Sequence, residues 1–335
     1  MTIPTRALGA YGPTVSAIGL GTLGMSDLYG PTDEAESIAT IHEAIDSGIT
    51  LLDTGDFYGS GHNEMLIARA LRERNRDDVI LSVKFGARRD PSGAFLPVPY
   101  DVTPEAVKDR LAYSLRRLNT DHIDIYRPSR LNPSIPVEDT IGALAEMQQA
   151  GHIRYIGLSE VGPEAIRRAA SVTSICDLQI EYSLLSRGPE NQIIPTLREL
   201  GIGLTAYGVL SRGLLSGHWS AARNLTNGDF RATSPRFQGE NLHDNLRLVD
   251  ALGRVAENLG ATTAQVAIAW VASRGDDIVP LVGARRRDRL EESIGAARLQ
   301  LSRDAIDAIE QAIPAGAAAG DRYAAPIMAT LDSER

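Results

Sequence analysis

Residues 123–159 read "IDIYRPSRLNPSIPVEDTIGALAEMQQAGHIRYIGLS", and this stretch decides the fold prediction. It begins with an apolar, β-branched run, predicted as a strand over 123–127, and it ends with a second such run over 153–159. Between the runs, "PVEDTIGALAEMQQAG" has apolar residues at helical spacing, a proline at its start and a glycine at its end. The stretch therefore predicts a strand–helix–strand unit, which is typical of a parallel sheet.

The same alternation runs through the rest of the chain. Strands are predicted at 16–20, 50–53, 79–84, 123–127, 153–159, 177–182, 203–207 and 278–282, with amphipathic segments between them. Eight strands with intervening helices predict an α/β fold, a (β/α)8 TIM barrel. We expect residues 1–335 to form a single domain, with a long polar loop over 211–244 and a C-terminal tail from about residue 313.

A doubly wound open sheet is the alternative fold. It predicts a G-x-G-x-x-G turn after the first strand, and Gly19, Gly21 and Gly24 match that spacing by letter. No acidic residue closes a second strand in the ribose-binding position, and no compact βαβ unit follows. We therefore assign these glycines to a loop at the mouth of a barrel.

Composition limits the class of protein. The chain has 335 residues, 43% of them hydrophobic and 23% charged, which suits an ordinary globular protein. The net charge of −9 argues against a nucleic-acid or acidic-membrane partner. A single cysteine, Cys176, excludes an intramolecular disulfide, and no signal peptide or membrane span is recognisable, so we expect a cytoplasmic location. The sequence indicates no oligomeric state.

Candidate catalytic residues lie where three predicted strands end. In barrels of this type, reactive groups occupy the C-terminal strand ends and the loops that follow. Asp53 ends the second strand, Tyr58 follows in the next loop, and Lys84 ends the third strand. Taken singly, they are explained by a turn cap, a loop aromatic and a solvated charge.

Together the three residues form a coherent acid–base unit. A phenol with a pKa of ~10 is a poor proton donor at neutral pH. A neighbouring ammonium is expected to lower the pKa of Tyr58, while the Asp53 carboxylate keeps Lys84 charged and in position. Such a unit suits protonation of a carbonyl oxygen as hydride reaches its carbon.

The chain resembles an aldo-keto reductase from about residue 6 to about residue 312. The segments that carry the resemblance are "GLGTLGMSDLYGPTDEAES", "LLDTGDFYGSGHNE", "GHIRYIGLSE", "LQIEYSLLSR", "AYGVLSRGLLSG", "DFRATSPRFQGENL" and "GARRRDRLEES". They are most similar to the bacterial and plant branch with a "YG...HNE" loop. The resemblance implies reduction of small-molecule carbonyl compounds with NADPH and without a metal. A nicotinamide-binding regulatory subunit with weak catalysis is the alternative function.

One catalytic position departs from the family pattern. The resemblance assigns the catalytic roles of the family's Asp, Tyr and Lys to Asp53, Tyr58 and Lys84. The fourth member is a histidine in stretches such as "DLYQLHRVDP", whereas this chain reads "DIYRPSRLNP" and has Ser129 there. We expect Tyr58 to remain the acid, with Ser129 and Arg127 binding the substrate, directly or through water. A salt bridge at the barrel rim is the alternative role of Arg127.

The resemblance also implies a cofactor site. The start of the last predicted helix favours an anion, and its arginines suit a 2′-phosphate, which favours NADPH over NADH. Ser159 and Gln179 are expected at the nicotinamide carboxamide, Tyr207 stacked on the ring, and the segment 208–213 at the pyrophosphate. The long loop over 211–244 is expected to cover the cofactor. The residues expected to bind the cofactor are Gly21, Thr22, Asp53, Ser159, Gln179, Tyr207, Gly208, Leu210, Ser211, Gly213, Gly283, Ala284, Arg285, Arg289, Glu292 and Ser293.

Overall fold

The computed structural model describes residues 3–26, 28–95, 100–225 and 228–334. Its strands are β1 (Thr5–Ala7), β2 (Thr14–Ser16), β3 (Gly19–Gly21), β4 (Leu51–Gly55), β5 (Ile80–Phe85), β6 (Ile123–Pro128), β7 (Ile153–Ser159), β8 (Asp177–Glu181), β9 (Gly203–Tyr207) and β10 (Ile278–Gly283). Its α-helices are α1 (Glu34–Asp46), α2 (His62–Leu71), α3 (Pro104–Leu118), α4 (Val137–Gln149), α5 (Pro163–Val172), α6 (Ile193–Leu200), α7 (Gly239–Asn258), α8 (Thr263–Ala272), α9 (Arg287–Gly295), α10 (Arg303–Ala312) and α11 (Ala325–Met328).

Strands β3 to β10 form a closed barrel in chain order, and β10 pairs with β3 to complete it. Every neighbouring pair is parallel. The predicted (β/α)8 barrel is confirmed, and the open-sheet alternative is wrong. Each of the eight predicted strands is present, and β7 and β9 have the predicted bounds.

Helix α3 begins and ends at residues with the capping chemistry that the sequence indicates. In α3, the Thr103 hydroxyl accepts a hydrogen bond of 3.1 Å from the backbone N–H of Ala106, and proline follows at the first helical position. Asn119 ends this helix in the left-handed conformation, with φ of 52°. Such a stop allows the chain to turn back to the next strand after the helix.

A short hairpin of β1 and β2 closes the N-terminal end of the barrel, and the sequence pattern did not predict it. Leu8 and Val15 of this hairpin pack in a buried cluster with Leu51, Ile125 and Cys176. Strands of three residues are too short to show a period. The hairpin therefore covers the barrel interior at the end opposite the C-terminal strand ends.

Two predicted boundaries are wrong. Gly19 and Gly21 belong to β3 rather than to a loop, and a Cβ on Gly19 would lie 2.9 Å from the Leu51 Cδ2 atom. Glycine is thus required there by close packing inside the barrel. The loop predicted over 211–244 ends earlier, because α7 begins at Gly239 and 3-10 turns form at Ser211–Ser216, Phe230–Thr233 and Pro235–Phe237.

The C-terminal segment returns to the mouth of the barrel. The Asp332 carboxylate accepts a hydrogen bond of 2.8 Å from the backbone N–H of Gly162, at the start of α5. In the described part of the chain, no helix is both long enough and apolar enough to cross a membrane.

Candidate active site

A cavity of about 820 Å3 opens at the C-terminal ends of the barrel strands. The residues predicted from sequence that line it are Gly21, Asp53, Tyr58, Lys84, Ser129, Ser159, Gln179, Tyr207, Gly208, Leu210, Gly213, Gly283, Ala284, Arg285, Arg289, Glu292 and Ser293. Three others do not line it: Thr22, Arg127 and Ser211. The cavity thus joins the predicted catalytic residues to most of the predicted cofactor residues.

Asp53 and Lys84 form a buried ion pair on adjacent strands. β4 and β5 are in a register that pairs Asp53 with Ser82 and Gly55 with Lys84. The Lys84 ammonium contacts the Asp53 Oδ1 atom, while Ser82 Oγ and Gln179 Nε2 donate to Oδ2 at 2.8 and 2.7 Å. Because both carboxylate oxygens are engaged, the lysine is held in one position. Burial lowers the pKa of Lys84, and the Asp53 charge opposes that shift.

Tyr58 lies directly above this pair. Its ring centroid is 5.0 Å from the Lys84 Nζ atom, and Phe57 packs edge-on against the ring at 4.9 Å. The turn that carries Tyr58 continues through Gly59, Ser60 and Gly61, all with positive φ. Glycine at two of these positions allows the tight turn.

The expected lowering of the Tyr58 pKa is wrong for the protein without its cofactor. Burial raises the pKa of Tyr58 well above its ordinary value, and the Asp53 charge raises it further. Among the main influences only the Arg130 charge lowers this pKa. The loss of water around the phenol is the largest cause of the raised pKa, and the Asp53 carboxylate acts against the charge of the Lys84 ammonium beside it. Tyr58 is therefore fully protonated at neutral pH.

Ser129 has an unpaired hydroxyl in the cavity wall. The residue follows β6, is 2% exposed, and lines the cavity beside Tyr58 and Lys84. Within the described residues, its Oγ atom has no hydrogen-bond partner. Buried hydroxyls are usually paired, so a free one at this position is available to a ligand or to water.

The expectation that Arg127 binds substrate is not met by its position. Its side chain points into the barrel, is fully buried, and donates from Nη1 to the Asp177 carboxylate at 2.9 Å and from Nη2 to Ser82 Oγ at 3.1 Å. It lies beneath the cavity and does not line it. The alternative predicted a salt bridge at the barrel rim; Arg127 does form a salt bridge, with Asp177 on β8, but inside the barrel rather than at its rim. Arg130, three residues later, lines the cavity instead, and sequence reasoning missed it.

Thr22 and Ser211 do not line the cavity either. Thr22 is fully buried, and its hydroxyl donates to the Asp53 carbonyl oxygen at 2.8 Å, which supports the end of β4. Ser211 is also fully buried, and its Oγ accepts a long hydrogen bond of 3.4 Å from Arg236. Both side chains lie behind the cavity wall and support neighbouring residues, and their contact with the cofactor stays a prediction.

The lining of the cavity contains more basic than acidic residues, although the chain as a whole is acidic. Among the described residues that line it, nine are lysine or arginine and only two, Asp53 and Glu292, are acidic. One end contains Arg212, Arg223, Arg231, Arg285, Arg286 and Arg289. The pKa of Arg285 is lowered by burial and then by the Arg231 charge, since like charges are crowded here. This end of the cavity is suited to a ligand with several phosphate groups.

Backbone conformation shapes the same end. Between β9 and the following turn, Gly208, Ser211, Arg212 and Gly213 all have positive φ, from 45° to 96°. Arg285 precedes α9, and its Nη1 donates to the Tyr29 carbonyl oxygen at 2.9 Å, which fixes the loop before α1. The N-terminus of α9 therefore borders the cavity, where its dipole favours an anion.

The C-terminal segment covers the cavity, and no motif indicated this. Arg322 pairs with both oxygens of Glu160, at 2.8 and 2.5 Å. The Tyr207 hydroxyl donates to Glu160 at 2.6 Å and lies 2.9 Å from the Tyr323 hydroxyl. Burial acts to raise the pKa of Glu160, but the Arg322 hydrogen bonds and charge outweigh it and lower the pKa to about 2. Tyr323, Pro326, Ile327 and Thr330 of this segment line the cavity.

Comparison with known proteins assigns this barrel and its cavity to one family. The sequence signature of the Aldo/keto reductase family matches residues 17–314. The "Probable aldo-keto reductase 1" of Glycine max is 38% identical over 317 residues, covering 94% of this chain and 90% of the relative. The "Aldo-keto reductase yakc [NADP(+)]" of Schizosaccharomyces pombe is 38% identical over 327 residues, covering 96% and 95%.

Solved structures agree with these relatives. The glycerol dehydrogenase AKR11B4 from Gluconobacter oxydans superposes with a TM-score of 0.84 at 27% identity, covering 92% of this chain and 94% of that one. The holo form of the aldo-keto reductase AKR11C1 from Bacillus halodurans gives a TM-score of 0.76 at 28% identity, covering 94% and 97%. By its sequence and its barrel, this chain belongs to the aldo/keto reductase family.

Proposed function

We propose that this protein reduces aldehydes or ketones to alcohols with NADPH, reversibly, and that Tyr58 is the proton donor. The observation that carries the proposal is the buried Asp53–Lys84 pair beneath the Tyr58 ring, at one end of a cavity whose other end is lined by arginines. A proton donor and a polyphosphate site in one cavity are what carbonyl reduction by a dinucleotide requires.

Tyr58 provides the proton. As hydride reaches the carbonyl carbon, negative charge develops on the oxygen, and the phenol transfers its proton there. The raised pKa of Tyr58 is compatible with this role, because an alkoxide is far more basic than a phenolate. Lys84 stabilises the phenolate that remains, since its ammonium is held close to the ring by Asp53. In the reverse direction the phenolate accepts the proton from the alcohol.

NADPH fits the residues of the cavity. When bound, it supplies the hydride. Arg285 and Arg289 are the proposed ligands of its 2′-phosphate, and 208–213 lies where a pyrophosphate would be held. The name of the Schizosaccharomyces pombe relative specifies NADP(+), which supports this choice of dinucleotide.

The nicotinamide end has suitable partners as well. The amide of Gln179 donates to Asp53 at 2.7 Å, which leaves its oxygen free to accept from a carboxamide. The Tyr207 ring is anchored by its hydroxyl on Glu160 and Tyr323, so one face is held against the cavity. Ser129 is proposed to orient the substrate, directly or through water, in place of the family's histidine.

The test is the consumption of NADPH by the purified protein over a panel of aldehydes and ketones, together with the dissociation constants of NADPH and NADH. We expect oxidation of NADPH with at least one class of carbonyl compound, and tighter binding of NADPH than of NADH. Tight NADPH binding with no oxidation by any carbonyl compound contradicts a reductase and favours the regulatory subunit.

A further inference from the structure

Arg130 lines the cavity near the proposed catalytic residues Tyr58 and Lys84, on the side of Ser159. It directly follows Ser129 in the chain. Its Nη1 atom donates to the Ser129 carbonyl oxygen at 2.6 Å and approaches Ser159 Oγ at 3.4 Å. These contacts hold one edge of the guanidinium against the barrel rim.

The other edge of this guanidinium has no acceptor. Among the described residues, nothing accepts from Nε or Nη2, and Nε is buried. Elsewhere in the chain the same edge binds a carboxylate: Arg168 donates from Nε and Nη2 to the two oxygens of Glu138, at 2.8 and 2.7 Å. Because Nε is buried, the Nη2 donors of Arg130 are the ones that a carboxylate in the cavity can reach, in a charge-assisted hydrogen bond.

No carboxylate of the described chain compensates the Arg130 charge by contact. Ion pairs within 4.0 Å engage Arg127 and Arg322, whereas none engages Arg130. The Glu160 carboxylate acts on Arg130 from a distance, but its oxygens are already occupied by Arg322, Tyr207 and Ser333. A partly buried cation without a contact partner is costly unless a ligand supplies the opposite charge.

The surroundings indicate the rest of the ligand. Phe57 and Tyr100 line the cavity on the substrate side, with Ile327 of the C-terminal segment. Arg88 adds a second, exposed cation to the same lining. An apolar body with an anionic group fits these walls better than a neutral polar compound does.

We propose that Arg130 binds a carboxylate on the carbonyl substrate, so that the protein prefers aldehydes or ketones that carry a carboxylate over their neutral counterparts. This inference rests on the proposed carbonyl reduction and identifies the class of substrate. Tyr58 protonates the carbonyl oxygen, while Arg130 fixes the other end of the molecule. Arg130 is thus a specificity-determining residue.

The test compares 2-, 3- and 4-carboxybenzaldehyde with their methyl esters. For at least one isomer, we expect the wild type to have a kcat/KM on the order of 10-fold or more above that of the ester, the range of a charge-assisted hydrogen bond. Arg130→Met should lose about 10- to 100-fold more on that acid than on the ester, and the additional loss should be in KM. Arg130→Lys should recover part of the loss, because it keeps the charge but not the planar donor pair.

Arg116→Met is the matched control. Arg116 is exposed on α3, so this substitution removes the same charge at a position outside the cavity. Calorimetric titration of benzoate and benzamide into the NADP+-bound protein gives a readout without turnover. Wild type and Arg116→Met should bind benzoate in preference to benzamide, and Arg130→Met should lose that preference.

Two results overturn the inference: no preference of the wild type for any acid over its ester, or an equal loss on acid and ester in Arg130→Met. Failure of the proposed function gives a different result from failure of this inference. If the protein is not a reductase, no aldehyde is reduced, but the titration with benzoate still shows whether Arg130 binds a carboxylate.

Discussion

The cavity has a floor, formed by Asp53, Tyr58 and Lys84, and a cover, formed by residues 322–334, and the two are built differently. The floor lies on adjacent strands whose register fixes the ion pair. The cover comes from the other end of the chain and is attached mainly through Arg322 on Glu160 and Asp332 on Gly162. We infer that the floor carries the chemistry, while the cover shapes the space for the substrate.

Removing the Tyr58 hydroxyl should have the largest effect. In Tyr58→Phe, we expect kcat for carbonyl reduction to fall by about 10²- to 10⁴-fold, the usual contribution of a general acid. The NADPH dissociation constant should stay within about 3-fold, since proton transfer rather than binding is lost. Steady-state kinetics and fluorescence titration give the two values. A kcat near that of the wild type would remove Tyr58 from the mechanism.

Breaking the ion pair beneath the floor should affect folding. Arg127→Met leaves the Asp177 carboxylate buried without its cation, and this should lower the free energy of unfolding by about 3–5 kcal/mol. Arg167→Met, which breaks an exposed pair with Glu199, is the control and should cost less than about 1 kcal/mol. Urea unfolding measures both. Equal losses in the two variants would contradict the structural role of Arg127.

Releasing the cover should change binding more than chemistry. Arg322→Met removes both hydrogen bonds to Glu160, and we expect KM for the carbonyl substrate to rise by roughly 10-fold while kcat changes less than about 3-fold. The expected reason is that Tyr323 and Ile327 no longer hold their places in the cavity wall. A fall in kcat with an unchanged KM would show that the cover acts on the chemical step.

The same attachment predicts a loss of stability in acid. The pKa of Glu160 is lowered to about 2 in the folded protein, against a value of 4.5 when unperturbed. The contribution of the ionised Glu160 to the free energy of unfolding is therefore complete above a pH of about 4.5, and it is lost as the pH falls toward about 2. The free energy of unfolding, measured with urea between these two pH values, should depend less on pH in a Glu160→Gln, Arg322→Met double variant than in the wild type. Identical profiles would contradict the attachment.

The smallest effect is expected at the arginine-lined end of the cavity. Arg289 is half-buried in the first turn of α9 and already pairs with Glu292 at 3.2 Å. Its replacement in Arg289→Met should weaken NADPH binding by only about 3- to 10-fold and leave NADH binding unchanged, because NADH lacks the 2′-phosphate. Titration of both dinucleotides tests this. Equal weakening of the two would place Arg289 elsewhere on the cofactor.

The sequence predicted the residues of the floor because their positions follow from the local sequence pattern at the ends of the strands. Once eight strands are in order, adjacent strand ends meet, and the motif residues Asp53 and Lys84 must be close. Arg127 was misplaced because the alternation of a strand indicates the side to which a residue points, but not its depth. Two residues before Ser129 it faces the same interior, one layer lower, where Asp177 binds it.

The cover could not be predicted by the same means. Arg322 and Glu160 are 162 residues apart, and neither lies in a periodic segment that would bring them together. The hairpin at the other end of the barrel was not predicted either, because its strands have three residues each and are too short to show a period. The pKa of Tyr58 was predicted in the wrong direction because sequence indicates the neighbouring charge but not the loss of water.

The most direct test of the division between floor and cover is single-turnover oxidation of bound NADPH, followed by stopped flow with saturating carbonyl substrate. The floor should set the rate of this step, so Tyr58→Phe should be slower by at least about 100-fold, while Arg322→Met should match the wild type once saturated. Near wild-type rates in Tyr58→Phe, or an equal slowing in Arg322→Met, would contradict the account.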